Sequence, residues 1–287
     1  MSTRHAAQLK LAPWALLLVA ASWGLSFVIM KDSISRQSVN NFLFSRFALA
    51  VIIMILLRPR VFKLFSRDLV LRSAFAGFFL GAGFTLQTLG LELTGAAITG
   101  FITGLYVVIT PLIAAVVLKV RVTRLTWGCV VLATIGLALL SLRGWSIGFG
   151  ELLVLASAFC FATHIISLGK WSNGRDAYAM TVVQLLMCTL LSGVASVAEG
   201  GYSAPPDWGV WATVIFTAVV STAVAFVIQT WAQAHMTTTK VAVILTMEVV
   251  FAAIFAIIFG GERLTAQVAL GGILVVTAMY VIVIKES

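Results

Sequence analysis

Charged side chains are scarce in this sequence. Only 10% of the 287 residues are Asp, Glu, Lys or Arg, whereas a soluble domain carries about 25%. Hydrophobic residues make up 61% of the chain, and the mean hydropathy is +1.09. This shortage of charge excludes an ordinary soluble globule and predicts a multi-pass membrane protein.

Cysteine is also rare. Cys129, Cys160 and Cys188 all lie inside apolar runs and have no CxxC spacing, so we predict neither a disulfide framework nor a metal site. The sequence contains no ATP-binding or zinc motif, and we expect no cofactor.

Basic residues outnumber acidic ones, and the net charge is +9. They lie in short gaps between apolar runs, not on one soluble face, so we expect no nucleic-acid partner. With the N-terminus placed in the cytoplasm, most of the 19 Lys and Arg residues fall on the cytoplasmic side, as the positive-inside rule requires. We therefore expect a bacterial-type inner membrane, both termini in the cytoplasm, the lipid bilayer as surroundings and no obligate protein partner.

Apolar runs of about 20 residues recur along the chain, and each is long enough to cross a hydrocarbon core of about 30 Å as a helix. We predict an all-α polytopic membrane protein with ten transmembrane helices. The predicted spans, numbered 1 to 10, are residues 12–30, 40–57, 71–90, 95–118, 125–142, 150–169, 178–198, 209–233, 239–259 and 266–284.

The two halves of the chain resemble each other. FTLQT (84–88) matches FVIQT (226–230) at a shift of 142, and LLLVAAS (16–22) matches ELLVLAS (151–157) at a shift of 135. An odd number of spans per half inverts the second half, which predicts two inverted five-helix repeats around a central cavity. The predicted repeats are residues 1–147, with spans 1–5, and residues 148–287, with spans 6–10.

Polar and aromatic side chains recur at helical spacing within several spans. They are expected to line the central cavity, where a small-molecule substrate binds, or to join neighbouring helices by hydrogen bonds. The candidate cavity residues are Ser22, Trp23, Ser26, Phe84, Gln87, Thr103, Tyr106, Phe161, His164, Gln229 and Gln233. For His164 the alternatives are a hydrogen-bonded packing residue and a proton relay.

Glu248 is the acidic residue that lies far from any predicted span end. An ionisable group inside the membrane is a functional hypothesis by default. Two interpretations are open: Glu248 is a protonatable coupling site, or it is a hydrogen-bonding residue that holds spans 8 and 9 together through Gln229 or Gln233.

Two further residues in predicted spans are unusual. Arg46, in span 2, either extends its guanidinium to the outer surface or faces the cavity mouth, where it would attract carboxylates. Pro111, in span 4, has no N–H, so we predict a kink or gate there. The spacings Gly77–Gly81 and Gly100–Gly104 predict close helix approach.

An intramembrane enzyme is a remote alternative. GWSIG (144–148) matches the GxSxG pattern, but that nucleophile motif works on a strand–turn–helix. Here it falls in a loop between spans 5 and 6, so we predict no catalytic residues. A receptor or channel would need a signalling domain or a ring of pore charges, and the sequence has neither.

Four segments resemble the EamA-type branch of the drug/metabolite transporter superfamily. They are SWGLSFVIMK (22–31), SRFALA (45–50), FITGLYVVITPLIAAVV (101–117) and MEVVFAAIFAIIFGGERLT (247–265). The family pattern has Glu-Pro-Val where this chain has Glu248, Val249 and Val250. The resemblance implies ten helices, alternating access and export of metabolites, and within the family the chain looks similar to the YddG-type exporters of aromatic and neutral amino acids.

From these observations we predict a secondary transporter that exports small amphipathic metabolites, with aromatic or neutral amino acids as the favoured substrates. Aromatic cavity residues would stack on the substrate ring, and amides and hydroxyls would bind its polar end. Transport would run down a substrate gradient or by proton antiport. The alternative within the same fold is a broad-specificity exporter of drugs or other metabolites.

Overall fold

The structure is a computed structural model. It describes residues 3–118, 123–143, 146–236, 241, 244–263 and 265–286. The helices in these ranges are α1 (Thr3–Arg36), α2 (Val39–Leu57), α3 (Arg67–Leu93), α4 (Ala96–Thr103), α5 (Tyr106–Leu118), α6 (Arg124–Ser141), α7 (Phe149–Trp171), α8 (Ala177–Ala198), α9 (Trp208–Ala218), α10 (Ala225–His235), α11 (Met247–Ile258) and α12 (Ala266–Glu286).

Six helical segments are long and apolar enough to cross a membrane, and they match predicted spans 1, 2, 3, 6, 7 and 8. Four shorter apolar helices fall within spans 4, 5, 9 and 10. The described chain is helical apart from turns, a short 3-10 helix and one hairpin, in which Leu142–Arg143 (β1) pairs with Ser146–Ile147 (β2). The all-α membrane architecture is confirmed, whereas the count of ten spans and the inversion of the repeat stay predictions.

Short polar residues set where several helices begin. Ser38 and Ser66 precede α2 and α3, and their hydroxyls accept the N–H groups of Asn41 and Leu69 at 3.3 and 3.1 Å. A helix start leaves its first N–H groups without partners, and such caps satisfy one of them. The turns between apolar runs are therefore encoded locally.

Predicted span 4 is interrupted inside its apolar run. Helix α4 ends at Thr103, and α5 begins at Tyr106, with Gly104 and Leu105 between them in a turn. The N–H of Val107 bonds the carbonyl of Gly104 at 3.1 Å, as in a tight turn of 3-10 type. The side chain of Pro111 lies outside the described residues, so its kink stays a prediction.

Predicted span 8 contains a wider turn. Residues Val219–Val224 form a π-helical segment between α9 and α10. Such segments are rare and occur frequently at functional sites, because the extra residue displaces backbone groups from the regular helical ladder. The polar side chains of this segment, Ser221 and Thr222, are fully buried, whereas Val220 and Val224 are exposed.

Helices of the two halves interlock. Helix α3 packs on α7 and α8, and α2 packs on α8. Helix α1 packs on α11 in the same way as α7 packs on α4 and α5, and α6 packs on α12. Contacts made by a helix of one half are thus matched by contacts of its counterpart in the other, as expected if the halves share a fold.

Glycines allow the closest of these contacts, as the GxxxG spacing predicts. A Cβ placed on Gly77 would lie 2.7 Å from the backbone of Gln184, and one on Gly81 would lie 3.1 Å from the Cα of Cys188. A Cβ on Gly100 would lie 2.6 Å from that of Ala252. Small residues at a helix contact in lipid allow the backbones to approach closely.

The exterior of the helices is apolar. Leu18 is 73% exposed, Leu190 is 59% exposed and Val197 is 71% exposed. Continuous apolar surface of this kind makes a soluble protein aggregate, but it suits a protein whose solvent is lipid. The chain therefore buries its polar side chains inside and presents its hydrocarbon outside.

Two polar clusters lie at opposite ends of α2, which are about 28 Å apart along its 19 residues. We call the first the Arg36 cluster: Arg36 pairs with Asp207 at 2.6 Å and also with Asp32. Nearby, Glu199 accepts hydrogen bonds from Ser38 and Asn40. The cluster joins the α1–α2 turn to the segment between α8 and α9.

Asp207 also caps α9. Its carboxylate accepts the backbone N–H groups of Gly209 and Val210 at 2.7 and 3.1 Å. These bonds, the one from Val210 most strongly, and the charge of Arg36 hold the pKa of Asp207 below its ordinary value of 3.8. The ion pair is consequently formed throughout the physiological pH range.

The second group, the Arg58 cluster, joins the α2–α3 connection to the turn between α7 and α8. Arg58 pairs with Asp176 at 3.0 Å. Asp68 accepts from Arg175 at 2.6 Å and from Arg72 at 2.5 Å. Both ends of the helix assembly are thus connected between the halves.

Candidate functional site

A chamber with a free volume of about 50 Å³ lies where helices of both halves converge. This free volume is smaller than that of small-molecule sites, about 300–1,000 Å³, so a substrate fits only when lining side chains move apart. The lining residues are Trp23, Ser26, Phe27, Met30, Arg46, Leu80, Phe84, Gln87, Thr103, Tyr106, Phe161, His164, Ile165, Phe226, Gln229, Leu245 and Glu248.

Phe84 lies at the centre of an aromatic wall. Its ring meets those of Phe47, Phe161 and Phe226 edge-on, with centroids 5.3, 5.4 and 5.8 Å apart, and Trp23 extends the wall, 5.5 Å from Phe226. Edge-to-face pairs at these separations are favourable beyond their buried area. Phe84 and Phe226 are equivalent positions of the FTLQT and FVIQT segments, so the sequence repeat brings its own matching residues together.

Arg46 lies on the chamber wall with 1% of its surface exposed. Its guanidinium carbon lies 4.8 Å from the centroid of Phe84 and 5.6 Å from that of Phe47. Its Nε donates to Thr222 Oγ1 at 2.7 Å. Arg46 therefore reaches neither the outer surface nor an exposed mouth: the rings and the hydroxyl hold it inside.

The π-helical segment anchors this part of the chamber. Trp23 donates its indole N–H to the carbonyl of Ser221 at 2.8 Å, and the hydroxyl of Ser26 donates to Ser221 Oγ at 2.9 Å. With the bond from Arg46 to Thr222, helices α1 and α2 are both tied to this segment. The irregular turn thus positions three chamber side chains, Trp23, Ser26 and Arg46.

The repeat-related glutamines have different partners. Gln87 Nε2 donates to Thr103 Oγ1 at 3.0 Å, which links α3 to α4. Gln229 Nε2 donates to Gln233 Oε1 at 3.4 Å, and Gln233 in turn donates to the carbonyl of Ile165 at 3.3 Å. The Oε1 of Gln229 is buried without a hydrogen-bond partner among the described residues.

His164 is held in a fixed position on α7. Its Nε2 lies 2.8 Å from Gln184 Oε1, and its ring meets that of Phe226 edge-on at 6.0 Å. It is 1% exposed. These contacts match the packing interpretation of this residue, and they also place its ring at the chamber surface.

Glu248 and Tyr106 occupy equivalent positions of the sequence repeat, 142 residues apart, and both line the chamber. Glu248 is 6% exposed, and the described residues form neither a hydrogen bond nor an ion pair with its carboxylate. The structure thus shows no bond from Glu248 to Gln229 or Gln233. The Tyr106 hydroxyl, on a side chain 3% exposed, also has no partner there.

The structure brings most of the candidate cavity residues together. Two of them lie behind the wall: the hydroxyl of Ser22 donates to the carbonyl of Val19 at 2.8 Å, and Gln233 supports Gln229. Phe226 also lines the chamber; it belongs to the polar and aromatic stripe of span 8, and its position in FVIQT matches Phe84 in FTLQT. The sequence repeat therefore carries a signal that identifies it.

The side chains of the described site are suited to binding a small molecule. Within the described ranges, no group of three or more His, Cys, Asp or Glu residues is placed to hold a metal ion. In the GWSIG segment, Gly144, Trp145 and the side chain of Ser146 lie outside the described residues. What the chamber offers is an amphipathic enclosure with aromatic rings, amides, one cation and one carboxylate.

Known proteins resemble this chain over almost its whole length. The EamA-like transporter family model matches it twice, at residues 10–142 and 148–284. A protein of Archaeoglobus fulgidus described as an uncharacterized transporter is 30% identical over 285 residues, which cover 96% of this chain and 86% of that protein. A crystal structure of another protein aligns over 96% of both chains with a TM-score of 0.65 and 18% identity, which supports the fold alone.

Proposed function

Because the chain belongs to the EamA-like transporter family, we propose that the buried chamber is the transport site of a secondary exporter of small amphipathic metabolites. Aromatic and other neutral amino acids are the favoured substrates. The observation that carries this proposal is one space that combines a wall of aromatic rings with buried polar groups that have no hydrogen-bond partner among the described residues.

The composition of the wall supports an amphipathic substrate. A ring or aliphatic side chain packs on Phe84, Phe161 and Phe226, whose faces and edges offer the contacts that aromatic groups prefer. Gln229 and Tyr106 have buried polar atoms available for the polar end of a substrate. A purely apolar ligand would leave these atoms unsatisfied, which is costly in a buried site.

The Arg36 and Arg58 clusters support alternating access. Each joins segments of the two halves at one end of the assembly, so opening the chamber to one side requires breaking one cluster while the other holds. With the proposed orientation, both termini are cytoplasmic in the inner membrane, the Arg36 cluster is outside and the Arg58 cluster is inside.

The proposal is tested by efflux of L-phenylalanine from proteoliposomes, with and without a pH gradient. Phe84→Ala should lower the efflux about tenfold or more, because Phe84 contacts Arg46 and the other rings of the wall. Phe78→Ala is the matched control, since Phe78 lies on the same helix but is 46% exposed, and its efflux should stay near that of the wild type.

The outcomes separate the alternatives. Efflux in the wild type and its loss in Phe84→Ala support the proposal, and a change of rate with the pH gradient would identify proton coupling. Efflux of lipophilic cations without any amino-acid efflux would favour the broad-specificity exporter. Absence of efflux for every amino acid would refute the substrate assignment.

A further inference from the structure

The chamber wall carries one buried cation and one buried carboxylate on different helices. Arg46 belongs to α2 and is 1% exposed, and Glu248 belongs to α11 and is 6% exposed. No ion pair joins them, and neither pairs with another charged residue in the described part of the chain. An unpaired buried charge is strongly unfavourable, so this arrangement is suited to a ligand that completes it.

The free face of Arg46 is suited to a carboxylate. The strong hydrogen bond of its guanidinium is made by Nε to Thr222. The terminal nitrogens have only long contacts, 3.4 Å to the sulfur of Met30 and 3.4 Å to the carbonyl of Ser221. A guanidinium has five N–H donors in a planar fork and binds a carboxylate through two parallel hydrogen bonds.

The surroundings of Glu248 are suited to an ammonium group. An ammonium donates three hydrogen bonds and accepts none, so it needs several acceptors. Glu248 supplies carboxylate oxygens, and Gln229, which lines the same chamber, supplies a buried Oε1. Neither group has a hydrogen-bond partner among the described residues. Tyr106 lines the same chamber, and its hydroxyl, which has no partner among the described residues, provides a further oxygen there.

We propose that Arg46 and Glu248 form a two-point site for a zwitterion, in which Arg46 binds the α-carboxylate of an amino acid and Glu248 binds its α-ammonium group. The side chain then packs on the wall of Phe84, Phe161 and Phe226. This inference rests on the proposed function and assigns a role to each charge in the chamber. A zwitterion neutralises both residues at once, whereas an amine or an acid leaves one of them unpaired.

The test compares three probes with the same phenyl ring. They are L-phenylalanine, 2-phenylethylamine, which lacks the carboxylate, and 3-phenylpropionate, which lacks the ammonium group. Each is measured by its competition with radiolabelled L-phenylalanine for binding and counterflow in proteoliposomes of the full-length protein. For the wild type we expect L-phenylalanine to compete about 100-fold better than either analogue, because a site built for a polar group rejects ligands that lack it.

Two substitutions test which residue binds the carboxylate and which binds the ammonium group of the substrate. Glu248→Gln should lower the affinity for L-phenylalanine and raise the relative affinity for 3-phenylpropionate. Arg46→Gln should raise the relative affinity for 2-phenylethylamine. Glu92→Gln and Arg60→Gln are matched controls, because both residues are exposed, and they should keep the wild-type order. The wild-type ranking decides the proposal if the Arg46 variant does not fold.

Equal competition by the three probes would overturn the zwitterion site and leave the exporter assignment intact. If Glu248→Gln abolished only the response to a pH gradient and kept the probe ranking, Glu248 would be a proton site and the proposal would also be wrong. If the wild type neither bound nor moved any of the probes or other amino acids, the proposed function itself would fail.

Discussion

Arg46 is a buried cation whose neighbours are rings and neutral acceptors. Phe84 and Phe47 face its guanidinium, and Thr222 accepts its Nε–H. Aromatic faces attract cations most strongly where water is excluded, so these contacts stabilise the charge without neutralising it. The guanidinium is therefore held in place and is still available to a ligand.

Trp23 gives a residue-scale prediction. Trp23→Phe keeps a ring beside Phe226 but removes the N–H that donates to the carbonyl of Ser221. We expect a loss of stability of about 0.5–1.5 kcal/mol, the usual net worth of such a bond, measured by thermal or denaturant unfolding in detergent.

Trp14→Phe is the control for this prediction, because Trp14 is on the same helix and 67% exposed. The control should unfold like the wild type. Equal effects of the two substitutions would show that the bond to the π-helical segment does not stabilise the chamber.

At this scale the sequence indicates candidates but not contacts. Glu248 and Arg46 are conspicuous in the sequence because charges inside apolar spans are rare. The partners of Arg46 are not conspicuous, since Thr222 and Phe84 are ordinary residues for membrane helices and lie far from Arg46 along the chain. Ser22 and Ser26 share one helical face by spacing, yet only Ser26 lines the chamber.

At the scale of elements, helix α3 packs extensively on both α7 and α8. Its Gly77 and Gly81 face α8, where Gln184 and Cys188 approach within ordinary contact only because no Cβ is present. Close backbone contact replaces the hydrophobic driving force that lipid does not supply between helices.

Gly77→Ala tests this packing. The added Cβ would lie 2.7 Å from backbone atoms of Gln184, and a backbone cannot move aside as a side chain does. We expect destabilisation of about 1–3 kcal/mol, the usual cost of overpacking, with a lower melting temperature in detergent.

The matched control is Gly128→Ala on α6, where no atom lies within 4 Å of the new Cβ. Helix propensity favours Ala over Gly there, so the variant should be as stable as the wild type or more stable. If Gly77→Ala behaved in the same way, the close packing of α3 on α8 would be disproved.

The sequence predicts some helix boundaries and misses others. The apolar runs and the caps at Ser38 and Ser66 indicate where helices start. The turn at Gly104–Leu105 and the π-helical Val219–Val224 lie inside predicted spans, and neither is predicted from hydropathy. The backbone conformation at these two places depends on tertiary contacts, such as those of Trp23 and Arg46 with the π-helical segment.

At the scale of the whole molecule, the Arg36 and Arg58 clusters tie the halves together at opposite ends. The paired side chains are partly exposed, at 38% and 44% for Arg36 and Asp207 and 43% and 32% for Arg58 and Asp176. Exposed pairs contribute about 0.2–1 kcal/mol each, which is small enough for them to break and re-form as the proposed alternating access requires.

Each cluster should bias the chamber toward closure at its own end. In vesicles of known orientation, Arg36→Ala should raise access to a thiol placed by Ser26→Cys from the Arg36 side by about 1.5- to 5-fold, as the pair energy implies. Arg58→Ala should raise access from the other side. The measurement is the labelling rate with a membrane-impermeant thiol reagent, in a background without the three native cysteines.

Arg60→Ala is the control, because Arg60 is exposed at the Arg58 end and forms no ion pair among the described residues. It should leave both labelling rates unchanged. Equal changes on both sides for Arg36→Ala and Arg58→Ala would contradict the assignment of one cluster to each end.

The sequence by itself determined the membrane class, the helical composition and the repeat, because hydropathy, helix length and caps act locally along the chain. It also indicated most chamber residues, since polar side chains in apolar spans must face inward. The tertiary structure decided which of them meet. The pairing of Phe84 with Phe226, the enclosure of Arg46 and the separation of Arg46 from Glu248 depend on how α2, α3, α10 and α11 pack, and no local pattern specifies contacts between segments so distant in sequence.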